Sequence, residues 1–324
     1  MTLGRRAKRR HRFHYYGLEG AEETRPQNNL KRSGLAARLM IVKGSVKQLV
    51  LIPLIASALC GQSASEKEPV SVDPLDIVRR SIERDWTDFD SRKDYTYQER
   101  FEQRNLTRDG KVGHRRSETH EILILGDWPY ERLIARDDKP LSEKEVRREQ
   151  QKLDRVAAER QHPSASERAH REKERAENRK AVQELTDAFT FHLSGVEDVS
   201  GRPAWVIEAE PKPGYHASGE LSRIFKKVRG KVWIEQETYH WVKLDAEVLD
   251  TLTFGLGLLR VAPGGTLHFE QTRVNNEIWL PSYALIRADA RLALVKKLRT
   301  EIDIRYSGYR KFQADSRIVE TVAH

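Results

Sequence analysis

Residues 95–125 read YTYQERFEQRNLTRDGKVGHRRSETHEILIL, and the period of that stretch decides the fold. Tyr95, Tyr97 and Phe101 alternate with Thr96, Gln98, Arg100 and Glu102, the two-residue repeat of a strand with one buried face. Asp109-Gly110 is a hairpin turn signal, and the chain returns through Ile122, Leu123, Ile124 and Leu125. A third strand is expected from Tyr130 to Arg136, closed by Asp137-Asp138-Lys139-Pro140.

Working outward, an amphipathic helix precedes the strands. Asp73 is a suitable N-cap with Pro74 at the first helical position. Leu75, Val78, Ile82, Trp86 and Phe89 then recur at helical spacing, opposite Arg79, Arg80, Glu83 and Arg84. Downstream, Ser142 and Glu145 form a capping box that opens a second helical region. Val146, Leu153 and Val156 give it only a thin apolar stripe, and from Glu159 to Lys180 acidic and basic residues alternate. Such a segment is solvated along its length. Its interspersed Glu167, Glu172, Glu174 and Glu177 argue against a nucleic-acid arm.

Strands dominate the remainder. Phe189–Leu193, Ala204–Glu210, Lys231–Glu235, Thr238–Val248, Thr266–Val274, Glu277–Ile286 and residues 298–312 alternate. Turn signals at Gly201-Arg202-Pro203, Pro211-Lys212-Pro213-Gly214, Pro263-Gly264-Gly265 and Asn275-Asn276 separate most of them. The expected fold class is therefore α+β: a curved antiparallel sheet, an incomplete β-barrel, wrapped around helices. A charged helical insertion at 141–185 interrupts it, within a domain of 65–315 followed by a tail of 316–324.

The charge is distributed unevenly. Of 58 basic and 49 acidic side chains, 12 and 3 fall in residues 1–60, which leaves 46 of each in the other 264 residues. A nucleic-acid binder needs a basic footprint on its folded part, so a neutral body excludes that class. Residues 1–39 read as a disordered basic arm, an over-extended start with translation beginning at Met40. Residues 40–64 read as a signal peptide: Lys43 and Lys47, an apolar run from Leu49 to Leu59, then small polar residues. The run is short for a bilayer span and contains Pro53. Export to the periplasm follows, with plain cleavage favoured and lipidation at Cys60, the sole cysteine, as the alternative.

Two short segments carry a family resemblance. Gly201-Arg202-Pro203-Ala204-Trp205-Val206-Ile207 leads to Pro211-Lys212-Pro213, and Gly230-Lys231-Val232-Trp233-Ile234-Glu235 leads to Glu237-Thr238-Tyr239. In this order, after a helix and a Tyr-rich strand, they resemble the periplasmic outer-membrane lipoprotein-sorting and carrier proteins (Lol-type). The resemblance spans 70–312 without the insertion, and its motifs specify a fold more than a function. It implies an exported half-barrel that carries lipoproteins or other acylated ligands. The insertion and the length depart from a simple carrier, which leaves room for an envelope sensor or scaffold that meets a protein partner through 141–185.

No motif for chemistry emerges. There is no His-Glu-x-x-His, no Gly-x-Ser-x-Gly, and Gly255-Leu256-Gly257 lacks the rest of a phosphate loop. His192, His240 and His268 lie singly on expected strands. The expectation is no catalytic residue, no metal centre and no cofactor, with a hydrolase whose dispersed site leaves no local motif as the remaining alternative. Binding has a better basis, because the mouth of a curved sheet is a usual ligand seat. Tyr97, Phe101, Trp205, Ile207, Ile234, Phe254, Phe269, Ile302 and Ile304 are the candidate liners of a cavity for acyl chains. Each is equally suited to ordinary core.

Overall fold

The computed structural model describes residues 73–312 apart from 127, 220–221, 255–256 and 293–295. The signal segment, Cys60, the basic arm and the tail lie outside the described residues, as do the side chains of Trp86 and Phe89. Among the described residues no helix is long and apolar enough to cross a membrane.

The first helix, α1 (Pro74–Thr87), starts where its capping residues place it. Asp73 Oδ1 accepts from the Leu75 N–H at 3.0 Å, and Asp73 O from the Ile77 N–H at 3.1 Å. Its buried line runs through Ile77, Val78, Ser81 and Asp85, so Leu75 and Ile82 flank the contact face rather than centre it. A single turn, α2 (Phe89–Arg92), follows.

The strands come next. β1 (Tyr95–Leu106), β2 (Val112–Leu125), β3 (Trp128–Arg136) and the two-residue β4 (Lys139–Pro140) form an antiparallel meander. The first hairpin turns at Asp109-Gly110 as expected, but over five residues: the Thr107 N–H donates to Lys111 O at 2.8 Å, and Gly110 sits at φ 81°. After the helical region come β5 (Phe189–Val199), β6 (Arg202–Pro211), β7 (Val228–Glu235) and β8 (Trp241–Val248). Two short strands, β9 (Leu252–Phe254) and β10 (Leu259–Val261), precede β11 (Thr266–Val274), β12 (Ile278–Leu292) and β13 (Lys296–Lys311). The order across the sheet is β4-β3-β2-β1-β13-β12-β11-β8-β7-β6-β5, with β10 joining β9 to β12. The strands make one open, antiparallel sheet in which the pairing of β1 with β13 joins the strands before the helical region to those after it.

Curvature has a local cause. The register slips between Thr96 and Gln98, Thr119 and His120, Leu193 and Gly195, Trp233 and Ile234, and Glu270 and Gln271. Each such bulge bends its strand and increases the local twist.

The charged region is two helices, α3 (Glu143–Gln161) and α4 (Ala165–Gln183), followed by a single turn, α5 (Leu185–Ala188). The capping box of Ser142 and Glu145 is present, and Ser164 with Glu167 forms a second one. Solvation along α3 is as expected, since none of its residues is buried. Its topological place differs from that of a surface insertion: 141–188 is the link between β4 at one edge of the sheet and β5 at the other. Arg160 holds α3 by donating to the carbonyls of Leu125, Trp128 and Pro129 at 3.2, 2.9 and 3.3 Å. Arg171 and Arg175 of α4 lie over the Trp128 ring at 5.7 and 4.9 Å. Cation–π contacts thus dock the polar part of α4, whose C-terminal end alone buries apolar side chains, Ala181 and Val182.

At the seam of β1 with β13, on the face opposite Phe101, Glu102 of β1 is only 3% exposed. It accepts from Arg100 and Arg104 at 2.6 Å and from Arg115 of β2 at 2.9 Å. Arg104 also bridges to Glu301 of β13 at 2.7 Å, and Glu301 accepts from Arg287 of β12 at 2.7 Å. One ladder of charges therefore crosses four strands. Burial alone pushes the Glu102 carboxyl up, but the hydrogen bonds from Arg100, Arg115 and Arg104 outweigh it and bring it down to about 2. A carboxylate depressed in the folded state stabilises fully above its unfolded value of 4.5, and that contribution is lost as pH falls toward about 2. Glu102→Gln is expected to cost about 1–3 kcal/mol at pH 7. It also removes the matching part of the acid-side slope, as read from urea unfolding of both proteins across that pH range.

Candidate functional site

The pairing register builds a continuous apolar face. Phe101 of β1 opposes Ile304 of β13, which opposes Ala284 of β12, then Phe269 of β11. The line continues through Leu244 of β8, Val232 of β7, Ile207 of β6 and Leu193 of β5. Because side chains alternate along each strand, residues two positions away on each strand share that face. Ile302 lies one repeat from Ile304 and opposes Gln103 and Ile286. Trp205 and Ile234 oppose one another one repeat from Ile207 and Val232. Tyr97, one repeat beyond Glu99, packs its ring 5.9 Å from both Tyr306 and Tyr309. All nine residues expected to line a cavity therefore share one face by register. Phe254 joins it from β9, off the main strand order, through Leu259 of β10 and Leu292 of β12, which is in phase with Ala284 and Ile286.

The two halves of this face differ. Over β6 and β7, α1 lays Ile77 and Val78 onto Ile207 and Ile234, with Trp205, Val232 and Trp241 around them. There the candidates serve as seat for the chain's own helix. Phe101, Ile302, Ile304 and Phe269 lie toward the other half, and each is 5% exposed or less. The Trp241 and Phe269 rings, 5.2 Å apart, mark the border between the two regions.

At the β1–β3 end the face becomes polar. Glu99, in phase with Tyr97 and Phe101, opposes His120 of β2 on one side and Tyr306 of β13 on the other. Glu131 of β3 opposes Ile122, one repeat from His120. One ligand-type atom from each of Glu99, His120 and Glu131 lies within 4.8 Å of the other two, and Glu99 and His120 are buried. The His120 Nε2 is also 3.9 Å from Glu118 Oε2. Burial, and then the Glu99 charge, push the Tyr306 phenol well up; the same two causes raise Tyr97. No metal centre was expected here, because the three residues are 21 and 11 positions apart and only strand register unites them. One signal was present: Glu99 occupies the buried phase of a strand whose neighbours in that phase are Tyr97 and Phe101.

A second polar group anchors the helices. His240, 2% exposed, meets Asp88 Oδ2 through Nε2 at 2.5 Å and Thr238 Oγ1 through Nδ1 at 2.8 Å. Thr238 in turn donates its hydroxyl to Glu235 Oε2 at 2.5 Å. The proton of that hydroxyl is committed to Glu235, so the histidine is not placed to activate it as a nucleophile. Trp241 Nε1 donates to Asp85 Oδ1 at 3.2 Å, and Arg92 also pairs with Asp85. Burial raises the Asp88 carboxyl, and the hydrogen bond and charge of His240 outweigh it to bring it below its ordinary value. Of the other two strand histidines, His192 is exposed, and His268 lies between Asp245 at 2.5 Å and Glu270 at 3.0 Å.

Comparison with known proteins returns solved structures alone. No protein-family model matches the chain, and no curated protein does. The chain is similar to the crystal structure of a DUF1329 family protein from Desulfovibrio piger, at 14% identity and a TM-score of 0.31, over 74% of this chain and 94% of that one. It is also similar to a LolA superfamily protein from Nitrosomonas europaea, at 10% identity and a TM-score of 0.31, over 75% and 94%. An outer membrane lipoprotein-sorting protein domain from Vibrio parahaemolyticus aligns at 13% identity with a TM-score of 0.28, over 76% and 94%.

The Asp88–His240 contact has a measurable role. Asp88→Ala leaves a buried imidazole without its carboxylate, and is expected to destabilise the fold by about 3 kcal/mol in urea unfolding. A change under about 0.5 kcal/mol, the size of an ordinary surface substitution, would mean that the contact does not hold the helices.

Proposed function

We propose that this chain is an exported, non-enzymatic binder of lipoproteins or other acylated, apolar ligands in the cell envelope. The observation that carries the reading is the registered apolar line from Phe101 to Leu193, of which α1 occupies the β6–β7 end. The seat for ligand is the face that carries Phe101, Ile302, Ile304 and Phe269, side chains that are covered in this structure and that an entering acyl chain must uncover. Affinity there needs no particular polar group: each buried methylene contributes roughly 0.8 kcal/mol, so about fifteen contribute on the order of 12 kcal/mol before ordering costs. The signal-like segment at 40–64 supports a periplasmic location, with Cys60 as an alternative lipid attachment point. The absence of an enzymatic role is supported by His240, whose neighbouring hydroxyl is engaged by Glu235.

The test is titration of the purified protein with dansyl-aminoundecanoic acid. Saturable binding is expected, weakened at least tenfold by Phe101→Ala and by Phe269→Ala. Lys243→Ala, on the opposite face over the Trp233 ring, leaves it unchanged. Failure of the native protein to take up the probe saturably would overturn the proposal.

A second reading, an envelope scaffold acting through protein contacts, rests on α3, none of whose residues is buried and which carries Val146 at 53% exposure among its charges. Reversing Arg147 and Arg148 to Glu is then expected to abolish capture of an envelope partner while acyl-probe binding persists.

A further inference from the structure

We propose that Glu99, His120 and Glu131 form a binding site for a divalent transition-metal ion, zinc by preference, at the β1–β3 end of the apolar face. Three adjacent strands each supply one donor, held by pairing registers rather than by a loop. The set is one imidazole and two carboxylates. Nitrogen and oxygen donors of this kind suit zinc, and three protein ligands leave its fourth position open. With zinc about 2.1 Å from each donor, tetrahedral donors stand about 3.4 Å apart. The present separations reach no more than 4.8 Å, so the donors close on an ion by side-chain adjustment alone. With Nδ1 on the ion, His120 Nε2 would face Glu118, whose Oε2, at 3.9 Å, is the carboxylate oxygen that could move in to engage it.

The other buried or half-buried histidines show by contrast what distinguishes this group. His268 meets Asp245 through one ring nitrogen and Glu270 through the other, and His240 likewise divides its nitrogens between Asp88 and Thr238. Donors on opposite sides of one imidazole cannot share a single ion with it. At His120 the atoms converge instead. Among the described residues, Glu99, His120 and Glu131 are the group whose ligand atoms come together in this way. The ion would sit beside Tyr306, which opposes Glu99, with its open position on the face that carries Phe101 and Ile304.

The experiment uses the full exported protein, stripped with EDTA and titrated with zinc chloride by calorimetry, with cobalt as a spectroscopic substitute. One equivalent of zinc is expected to bind and raise the melting temperature, and cobalt to give a visible absorption band. Glu99→Gln and His120→Ala should each weaken binding at least a hundredfold, and His268→Ala should leave it unchanged. Circular dichroism checks that the variants fold, and Glu131→Gln replaces either variant that does not. Native protein that takes up no zinc overturns the site. So does uptake of equal affinity by the folded Glu99 or Glu131 variants.

Discussion

The pairing of β1 with β13 is the constraint on which the rest depends. It joins Phe101 to Ile304 and Gln103 to Ile302 across some two hundred residues of sequence, and turns two separate meanders into one sheet. Without it, the strands before the helical region and those after it would each expose two edges. With it, the edges are β4 and β5, and the charged helices run between them. The Glu102–Arg104–Glu301 ladder lies on this same seam, so a chain of ion pairs around the buried Glu102 sits where the chain pays its largest loop-closure entropy.

That seam also sorts chemistry by face. Along β1, alternation sends Tyr97, Glu99 and Phe101 one way and Arg100 and Glu102 the other. The first set builds the apolar face with its polar end; the second builds the charge ladder. Each face is continuous because neighbouring strands repeat the alternation in register. The bulges in several strand pairings then curve the sheet around α1, which fills one half of the apolar side and anchors through Asp88 and His240. Ligand binding and helix docking are thus two uses of one surface.

Much of this was legible in the sequence. The alternation at Tyr95–Leu125, the turn at Asn275-Asn276, where both residues adopt positive φ, and the start of α1 at Asp73-Pro74 are local signals, and the structure follows them. The resemblance carried by Gly201–Ile207 and Gly230–Glu235 points to the same open, curved sheet. What escaped was relational. Leu252–Phe254 and Leu259–Val261 are too short to show a period, so nothing local signals β9 and β10, which bring Phe254 beside β12. The 141–185 segment announces its first helix by the capping box of Ser142 and Glu145, but nothing in its composition says that it joins the two edges. Glu99, His120 and Glu131 meet only through strand register, which no local pattern encodes.

The central claim is that the half of the apolar face not taken by α1 receives an acyl chain. Native mass spectrometry of protein drawn gently from the cell envelope tests it most directly. A population heavier than the bare polypeptide by the mass of a fatty acid or lipid, lost on delipidation and restored by adding acyl lipid, is the predicted result. A single bare mass that stays bare in excess lipid would contradict the account.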